Sequence, residues 1–325
     1  MIDELEKTQP VTVICRSPPG GHAKIGNIEY IFCESRALQE LKTAELLSKR
    51  KFDCTYLADL RLAGFTLNRL FKRKNAGTFI AAVASLHSFS NKIVDQPEVE
   101  FLAREEETFF PYVLEKGNID YLHVSCKMAE KLFKKNFQTA QTFVPQHIGI
   151  SEQHFPQKID PPADSNRLLI ASRNRPRKRI DMVEEMARNN PMLNFSVCGL
   201  ETRTESQAPN VKYLGLLMKD MLFEEMKKSG FTVSLSVHEV FANTLTEAAC
   251  FGSIPVYPKI DPIQDELFQK IGVGVNEEDF LKLGKKIEKI DVEVGKKQAF
   301  EYAQKNFNAT KNVPKLYSRC NVAID

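Results

Sequence analysis

Two carboxylates in this sequence of 325 residues are candidates for binding a ligand. Glu239 follows a short apolar run, and Glu247 lies further on, in a stretch whose apolar residues recur at helical spacing. The N-terminus of a helix presents free N–H groups and a partial positive charge, which suit a diphosphate. Glu247 can then accept hydrogen bonds from the vicinal hydroxyls of a ribose, and Glu239 from those of a sugar. The alternative is that Glu239 only stabilises the positive end of the helix and that Glu247 is a solvated helix residue.

A cationic loop is the second feature. Residues 173–179, RNRPRKR, carry five Arg or Lys side chains in seven positions, directly after a predicted strand. Arginine offers a planar fork of donors and lysine a compact charge, and both suit phosphate groups. A solvated loop is the alternative.

The elements that must position these residues follow from the pattern around Glu239. An apolar, β-branched run predicts a buried strand over 231–237, and Asn243 or Thr244 is suited to cap the helix that follows. Gly252 ends that helix, and 254–257 begins another strand. The segment is therefore a βαβ unit, with its loop at the carboxyl edge of a parallel sheet, where open α/β sheets bind ligands.

Other segments show the same alternation of strands and helices. Turn-rich loops are predicted over 16–27 and 261–268, and a proline-rich linker over 151–166. Residues 121–137 predict a strand, a serine cap at Ser125 and a helix. Further buried strands are predicted over 11–15, 28–33, 54–60, 78–87, 142–150, 166–172 and 193–199, and further helices over 37–51 and 98–116.

Composition indicates a soluble globular protein with room for two domains, since 42% of residues are hydrophobic and 27% charged. No run of about 18 apolar residues is present, the N-terminus is too polar for a signal peptide, and the seven cysteines form no C-x-x-C pair. These features predict a cytoplasmic protein. The net charge of +3 requires no nucleic-acid partner.

One basic amphipathic stretch leaves three interpretations open. Residues 61–74 mix apolar and basic side chains. They fit a core-facing helix, contact with an anionic membrane surface, or contact with a nucleic-acid backbone through residues 69–74.

The segment around the two carboxylates resembles the EX7E segment of retaining GT-B glycosyltransferases, family 4 in particular. The residues that carry the resemblance are Glu239, Phe241, Glu247, Ala248, Gly252, Pro255 and Val256. Ala242 stands where the family usually has a glycine, which permits backbone conformations that alanine adopts only with strain.

The resemblance implies roles for residues along the chain. It places Arg173 and Lys178 on the donor diphosphate, with Ser172 and Arg179 where glycines are usual. Gly20 and Gly21 match a loop that shapes the acceptor side of the cleft. The implied catalytic residues are Glu239, Arg173, Lys178 and His87, the last facing the donor sugar. The implied donor-binding residues are Glu247, Phe241, Ala242, Asn243, Thr244, Gly199, Leu216, Leu217, Gly20 and Gly21.

The resemblance also implies the fold and the reaction. In the GT-B architecture two Rossmann-like domains face each other across a cleft. The first would span residues 1–150, and the second 167–325, with its C-terminal helices returning to the first. The expected reaction is a metal-independent transfer of a hexose from a nucleotide-diphosphate sugar, UDP-glucose by family frequency, with retention and without a cofactor.

Other functions stay open. A DNA-modifying glycosyltransferase acting on a hydroxylated base, a GT-B sugar-nucleotide epimerase and a non-catalytic sugar-nucleotide binding protein all fit the second domain. The acceptor is open among glycan, lipid, protein and DNA.

Overall fold

The structure is a computed structural model, and two compact α/β units make up its described residues. One unit contains the described residues up to 86, residues 101–151 and those from Ala309 onwards. The other contains 97–100 and Glu152–Asn308. The residues that the structure describes are 1–5, 7, 9–16, 21–58, 75, 77–84, 86, 97–116, 119–161, 164–201 and 205–323.

The first unit has two sheets in its described part. Their order is β1-β3-β2 in one sheet and β4-β5-β6-β7 in the other, and the second sheet is parallel throughout. The strands are β1 (Val11–Arg16), β2 (Gly21–Ile25), β3 (Ile28–Cys33), β4 (Cys54–Leu57), β5 (Thr78–Ala82), β6 (Tyr121–Val124) and β7 (Thr142–Pro145). The helices are α1 (Ile2–Leu5), α2 (Arg36–Lys49), α3 (Pro97–Lys116) and α4 (Lys127–Asn136).

A hairpin occupies part of the segment that the sequence predicted as a loop. β2 pairs antiparallel with β3, and Ile25 faces Ile28 across the turn. The turn consists of Gly26 and Asn27, and Gly26 has a φ of 56°. A Gly-Asn pair between apolar residues is a signal for a two-residue hairpin turn, so the loop prediction was wrong because it overlooked this signal.

The second unit contains a six-stranded sheet, parallel throughout, in the order β10-β9-β8-β11-β12-β13. The chain adds β9 and β10 on one side of β8. It then returns to the other side of β8 and adds β11, β12 and β13, so the direction of strand order reverses between β8 and β11. Such a reversal opens a crevice at the carboxyl ends of the two strands. The strands are β8 (Asp164–Ala171), β9 (Asn194–Cys198), β10 (Val211–Gly215), β11 (Ser229–Val233), β12 (Ile254–Pro258) and β13 (Val273–Val275).

Helices cover this sheet, and buried apolar residues of both kinds of element form its core. Leu168, Val197, Phe231 and Val256 come from four neighbouring strands and have at most 1% of their surface exposed. Parallel strands that are covered on both faces consist of such continuous apolar runs. The α-helices are α5 (Val183–Asn189), α6 (Lys219–Lys228), α7 (Asn243–Cys250), α8 (Pro262–Phe268), α9 (Leu283–Ile287) and α10 (Val292–Asn306).

Two predicted helix caps were wrong. The N-cap of α7 is Ala242, without a side-chain hydrogen bond, so neither Asn243 nor Thr244 caps it. Likewise, α4 begins after Cys126 rather than at a serine cap formed by Ser125. In each case the backbone conformation of the preceding residue decides where the helix starts, which residue type alone does not reveal.

Several element boundaries also differ from prediction. In the first unit, β5 ends at Ala82 rather than at position 87, and β7 ends at Pro145 rather than at position 150. Residues 261–268, predicted as a loop, form α8, and the Asp261 side chain caps its N-terminus with Pro262 as the first helical residue.

β11 ends at Val233 rather than at position 237. The N–H of Ser234 still donates to the carbonyl of Val256 on β12 at 2.8 Å, but the N–H of Val237 donates to the carbonyl of Arg177 at 3.2 Å, outside the sheet.

The last helix, α11 (Ala309–Arg319), belongs to the first unit. Val313 and Leu316 pack in one core with Ile80 of β5 and Val144 of β7. None of the helices in the described ranges is long and apolar enough to cross a membrane.

A buried histidine of β6 bonds to a residue of β4 and to the residue that follows β7. His123 on β6 is fully buried, its Nε2 lies 2.6 Å from the carbonyl oxygen of Gln146 and its Nδ1 lies 2.7 Å from the hydroxyl of Tyr56. Since a carbonyl only accepts, Nε2 carries the proton and Nδ1 accepts from Tyr56. Burial lowers the pKa of His123 to about 4, although the bond to Gln146 acts in the opposite direction.

This histidine should make the first unit sensitive to acid. The pKa of histidine in an unfolded chain is about 6.5, so between that pH and about pH 4 the unfolded chain binds a proton that the folded chain does not. The stability that neutral His123 contributes is thus complete above pH 6.5 and is lost as the pH falls, by about 3 kcal/mol in total. Urea unfolding at pH 7 and pH 4.5 should show a smaller acid loss for His123→Gln, whose amide keeps both bonding roles without titrating. Equal losses in the two proteins would contradict this role.

Candidate functional site

The candidate site lies at the carboxyl edge of the six-stranded sheet, where β8 and β11 are neighbours. The loops that follow these strands, residues 172–182 and 234–242, bond to each other. Besides the backbone bond from Val237, the guanidinium of Arg177 donates to the carbonyl of His238 at 3.1 Å. The cationic loop and the corner that holds Glu239 therefore form one structure, although they are 61 residues apart.

A charged pair joins the two loops. The ammonium group of Lys178 bonds to the carboxylate of Glu239, and the Arg177 guanidinium lies 3.8 Å from the same carboxylate. Burial alone would raise the pKa of Glu239, but the charges of Lys178 and Arg177, with hydrogen bonds from Lys178 and Ser236, bring it below its usual value. Glu239 is therefore an anion at neutral pH, and two of the three N–H donors of Lys178 are left for other partners.

The other basic residues of the loop divide into two kinds. Arg179 has a structural role, since its Nε donates to the carbonyl of Leu235 at 2.8 Å and its guanidinium pairs with Glu277. Arg173 and Arg175 have exposed side chains. The loop thus combines a half-buried cation at Lys178 with exposed cationic groups, an arrangement that suits a ligand carrying more than one negative charge.

Two of the three positions where the resembled family has glycines, Arg179 and Ala242 but not Ser172, share an unusual backbone. Arg179 has a φ of 49° and Ala242 a φ of 45°, both in the left-handed region. Non-glycine residues adopt this region at a cost of about 1–2 kcal/mol. The chain therefore keeps, with Arg and Ala, a conformation that glycine adopts without strain. Backbone strain of this kind often occurs at functional sites.

The N-terminus of α7 opens into the same pocket as the charged pair. Asn243 and Thr244, its first residues, line the pocket with Lys178 and Glu239. The first N–H groups of a helix have no partner within it, and they favour anions. With Lys178 beside them, they form a polar, positively biased end to the pocket.

Glu247 lies in the second turn of α7 and is half-buried. Burial raises its pKa, and the charge of Lys219, the first residue of α6, acts in the opposite direction. Within the described part of the chain, no side chain donates a hydrogen bond to this carboxylate. It is thus suited to accept hydrogen bonds from a ligand.

Gly199 is required by a close approach of two strand ends. Its φ is 94°, and a Cβ at this position would lie 2.5 Å from the carbonyl oxygen of Ser172. Its N–H donates to the carbonyl of Gly215 at 2.9 Å, which brings the end of β10 to the same edge. Leu216, the residue after Gly215, is 64% exposed, and Leu217 is half-buried.

The remaining predicted site residues have other placements. Phe241 is half-buried beside Ala242. Gly21 begins β2 in the first unit and lies in a strand rather than in the predicted loop. Gly20, His87 and the basic stretch 69–74 lie outside the residues that the structure describes.

Two further buried residues lie at this edge, the N-cap of α8 and a residue of its first turn, and no sequence pattern predicted them there. The carboxylate of Asp261 accepts from the N–H of Glu239 at 2.8 Å, and Gln264 lines the pocket. An aspartate followed by proline is a recognisable start of a helix, and it would have revealed Asp261 as a cap. Nothing local in the sequence indicates that α8 reaches Glu239.

Several solved structures are similar to this chain. A sucrose-phosphate synthase from Thermosynechococcus elongatus is 17% identical over 95% of this chain and 88% of its own, with a TM-score of 0.76. HepE from Anabaena, solved with UDP and glucose, is 12% identical over 97% of this chain and 100% of its own, with a TM-score of 0.70. A trehalose-6-phosphate synthase, from work on glycosyl transfer with retention, is 11% identical over 97% of this chain and 94% of its own, with a TM-score of 0.66.

These similarities confirm the predicted GT-B fold. No family model matches the sequence, and no curated protein sequence matches it. Membership of family 4 therefore stays a prediction.

The left-handed backbone at Ala242 makes a testable difference to stability. Ala242→Gly should raise the free energy of unfolding by up to about 1 kcal/mol, because glycine adopts this φ without strain. Ala242→Val should lower it by about 2 kcal/mol or more, since a β-branched residue is least tolerated there. Urea denaturation measures both.

Ala248→Gly is the matched control, because Ala248 lies in the interior of α7. It should destabilise by about 1 kcal/mol, the ordinary cost of glycine in a helix. If Ala242→Gly destabilises as much as this control, the strain at Ala242 is absent.

Proposed function

We propose that this chain, which has the GT-B fold, is a retaining glycosyltransferase that takes a hexose from a nucleotide-diphosphate sugar, with UDP-glucose as the favoured donor. The observation that carries the proposal is the placement of Lys178 and Glu239 beside the N-terminus of α7, at the switch point of a parallel sheet. That position offers cations and free N–H groups for a diphosphate, and a carboxylate for sugar hydroxyls.

The structural neighbours support the choice of donor and stereochemistry. HepE has been solved with UDP-glucose as well as with UDP and glucose. The trehalose-6-phosphate synthase comes from a study of transfer with retention. We extend both properties to this chain as part of the proposal.

In the proposed reaction, the bond between the anomeric carbon of the sugar and the phosphate oxygen of UDP breaks. A hydroxyl oxygen of the acceptor bonds to the same face of the anomeric carbon, and its proton passes to the departing phosphate oxygen. The main demand on the protein is to stabilise the negative charge that develops on the diphosphate. Lys178, Arg173 and the first N–H groups of α7 would meet this demand without a metal ion.

The carboxylates have separate roles in the proposal. Glu239 is an anion at neutral pH, and it would orient hydroxyls of the transferred sugar. Glu247, in the second turn of α7, would accept hydrogen bonds from the ribose of the nucleotide.

The alternative function is a non-catalytic sugar-nucleotide binding protein, and its support is the absence of glycines at positions where the resembled family has them. The positions concerned are Ser172, Arg179 and Ala242, and two of them, Arg179 and Ala242, nevertheless have the left-handed backbone that glycine adopts without strain. The substitutions are thus compatible with a working donor site, and we favour an enzyme.

The proposal is tested by donor binding and turnover. We expect calorimetry with a panel of nucleotide sugars to show binding of a UDP-sugar, UDP-glucose foremost, and slow hydrolysis in the absence of acceptor. Glu247→Ala should weaken binding of that donor by about tenfold or more, because a hydrogen bond to a charged group is worth about 1.5–3 kcal/mol. Glu224→Ala, at an exposed position on α6, is the control and should bind as the wild type does. The transferase proposal fails if no nucleotide sugar binds.

The role of Lys178 gives a second test. Lys178→Met should lower the rate of donor cleavage about 10²- to 10³-fold, the usual loss when one group that stabilises a leaving anion is removed. Lys270→Met removes an exposed lysine of the same unit and should leave the rate unchanged. Circular dichroism would check the fold, because the variant leaves Glu239 without its closest cation. A rate within a few-fold of wild type, in a folded variant, would remove Lys178 from the mechanism.

A further inference from the structure

A buried amide at the candidate site has an acceptor atom without a partner. Gln264, in the first turn of α8, has none of its surface exposed. Its Oε1 makes no hydrogen bond within the described part of the chain. A buried acceptor that is left without a donor is unfavourable, and few remain so in folded proteins.

The orientation of this amide is fixed by its other end. The Nε2 of Gln264 donates to the carbonyl of Ser236 at 3.1 Å and to the Asp261 carboxylate at 2.8 Å. Both partners only accept, so the NH₂ group must face them and Oε1 must face away. A rotated amide would set Oε1 against two acceptors.

The Asp261 carboxylate holds the amide and the site in one network. It accepts from the N–H groups of Ile263 at 3.0 Å and Glu239 at 2.8 Å. Asp261 is itself fully buried. Gln264 is therefore held at a fixed distance from the corner that carries Glu239.

The pocket decides what the acceptor can bind. Gln264 lines the same pocket as Lys178, Glu239, Asn243 and Thr244. A phosphate oxygen is excluded as the partner because it would meet another acceptor, whereas a hydroxyl donates.

We propose that Gln264 is a specificity-determining residue whose Oε1 accepts a hydrogen bond from a hydroxyl of the transferred sugar. The inference rests on the proposed function, and it narrows the donor to hexoses with an unsubstituted hydroxyl at the position that faces α8. Glu239 and Gln264 then bind the sugar from neighbouring walls of one pocket, while Lys178 binds the diphosphate.

The test compares UDP, which lacks the sugar, with UDP-glucose. Gln264→Met preserves the length of the side chain and removes the acceptor, and Gln264→Asn withdraws the amide by one methylene. In calorimetry both should bind UDP-glucose about tenfold or more weakly and UDP within twofold of wild type, since one hydrogen bond to the sugar is lost. Gln269→Met, at an exposed position directly after α8, should match wild type for both ligands.

Deoxy donors identify the hydroxyl. Among UDP-sugars in which one hydroxyl of glucose is replaced by hydrogen, one should bind wild type about tenfold more weakly and should lose nothing further in Gln264→Met. The inference is overturned if a variant binds UDP and UDP-glucose with equally reduced affinity. It is also overturned if removing any one hydroxyl costs the variants as much affinity as it costs wild type, because Oε1 then bonds only to water. If wild type binds neither UDP nor UDP-glucose, the proposed function fails and this inference with it.

Discussion

The bond between Lys178 and Glu239 joins two loops that leave neighbouring strands at the centre of a parallel sheet. Both side chains are withdrawn from solvent, and a charge in such a place is stable only when its partner is present. The pair therefore constrains both loops together. The conformation of the cationic loop and the start of α7 follow from this constraint, and the pocket lies between them.

Backbone strain is the cost of that arrangement. Arg179 and Ala242 lie at the ends of the segments that present Lys178 and Glu239, and both have a positive φ. Each is held by contacts that glycine would lack: Arg179 bonds to Leu235 and Glu277, and the methyl group of Ala242 is buried. These contacts explain how the chain maintains a left-handed backbone at two residues that disfavour it.

Polar groups without access to water organise the other wall of the pocket. Asp261 is surrounded by donors from α8 and from the backbone of Glu239, and Gln264 shares its carboxylate. Burying the oxygens of a carboxylate is costly unless such donors bond to them. The network fixes α8 against the loop after β11, and so it positions residues that are unrelated in sequence.

The sequence by itself located strands β8, β9, β11 and β12 and helix α7 of the second unit, because apolar runs and helical spacing are local patterns that burial imposes directly. It misjudged the hairpin at β2, the helix at α8 and the cap of α7, although the first two carry local signals at Gly26-Asn27 and Asp261-Pro262. The cap depended on the left-handed backbone of Ala242, which residue type does not encode.

Only the tertiary structure decided which residues meet. Lys178 and Glu239 are 61 positions apart, and their association in the sequence came from a family resemblance rather than from any pattern in the residues. The contact of Asp261 with Glu239, and the free acceptor of Gln264, arise because β12 lies beside β11 and delivers α8 to the same edge. Contacts across a sheet depend on strand order, and strand order is a property of the whole fold.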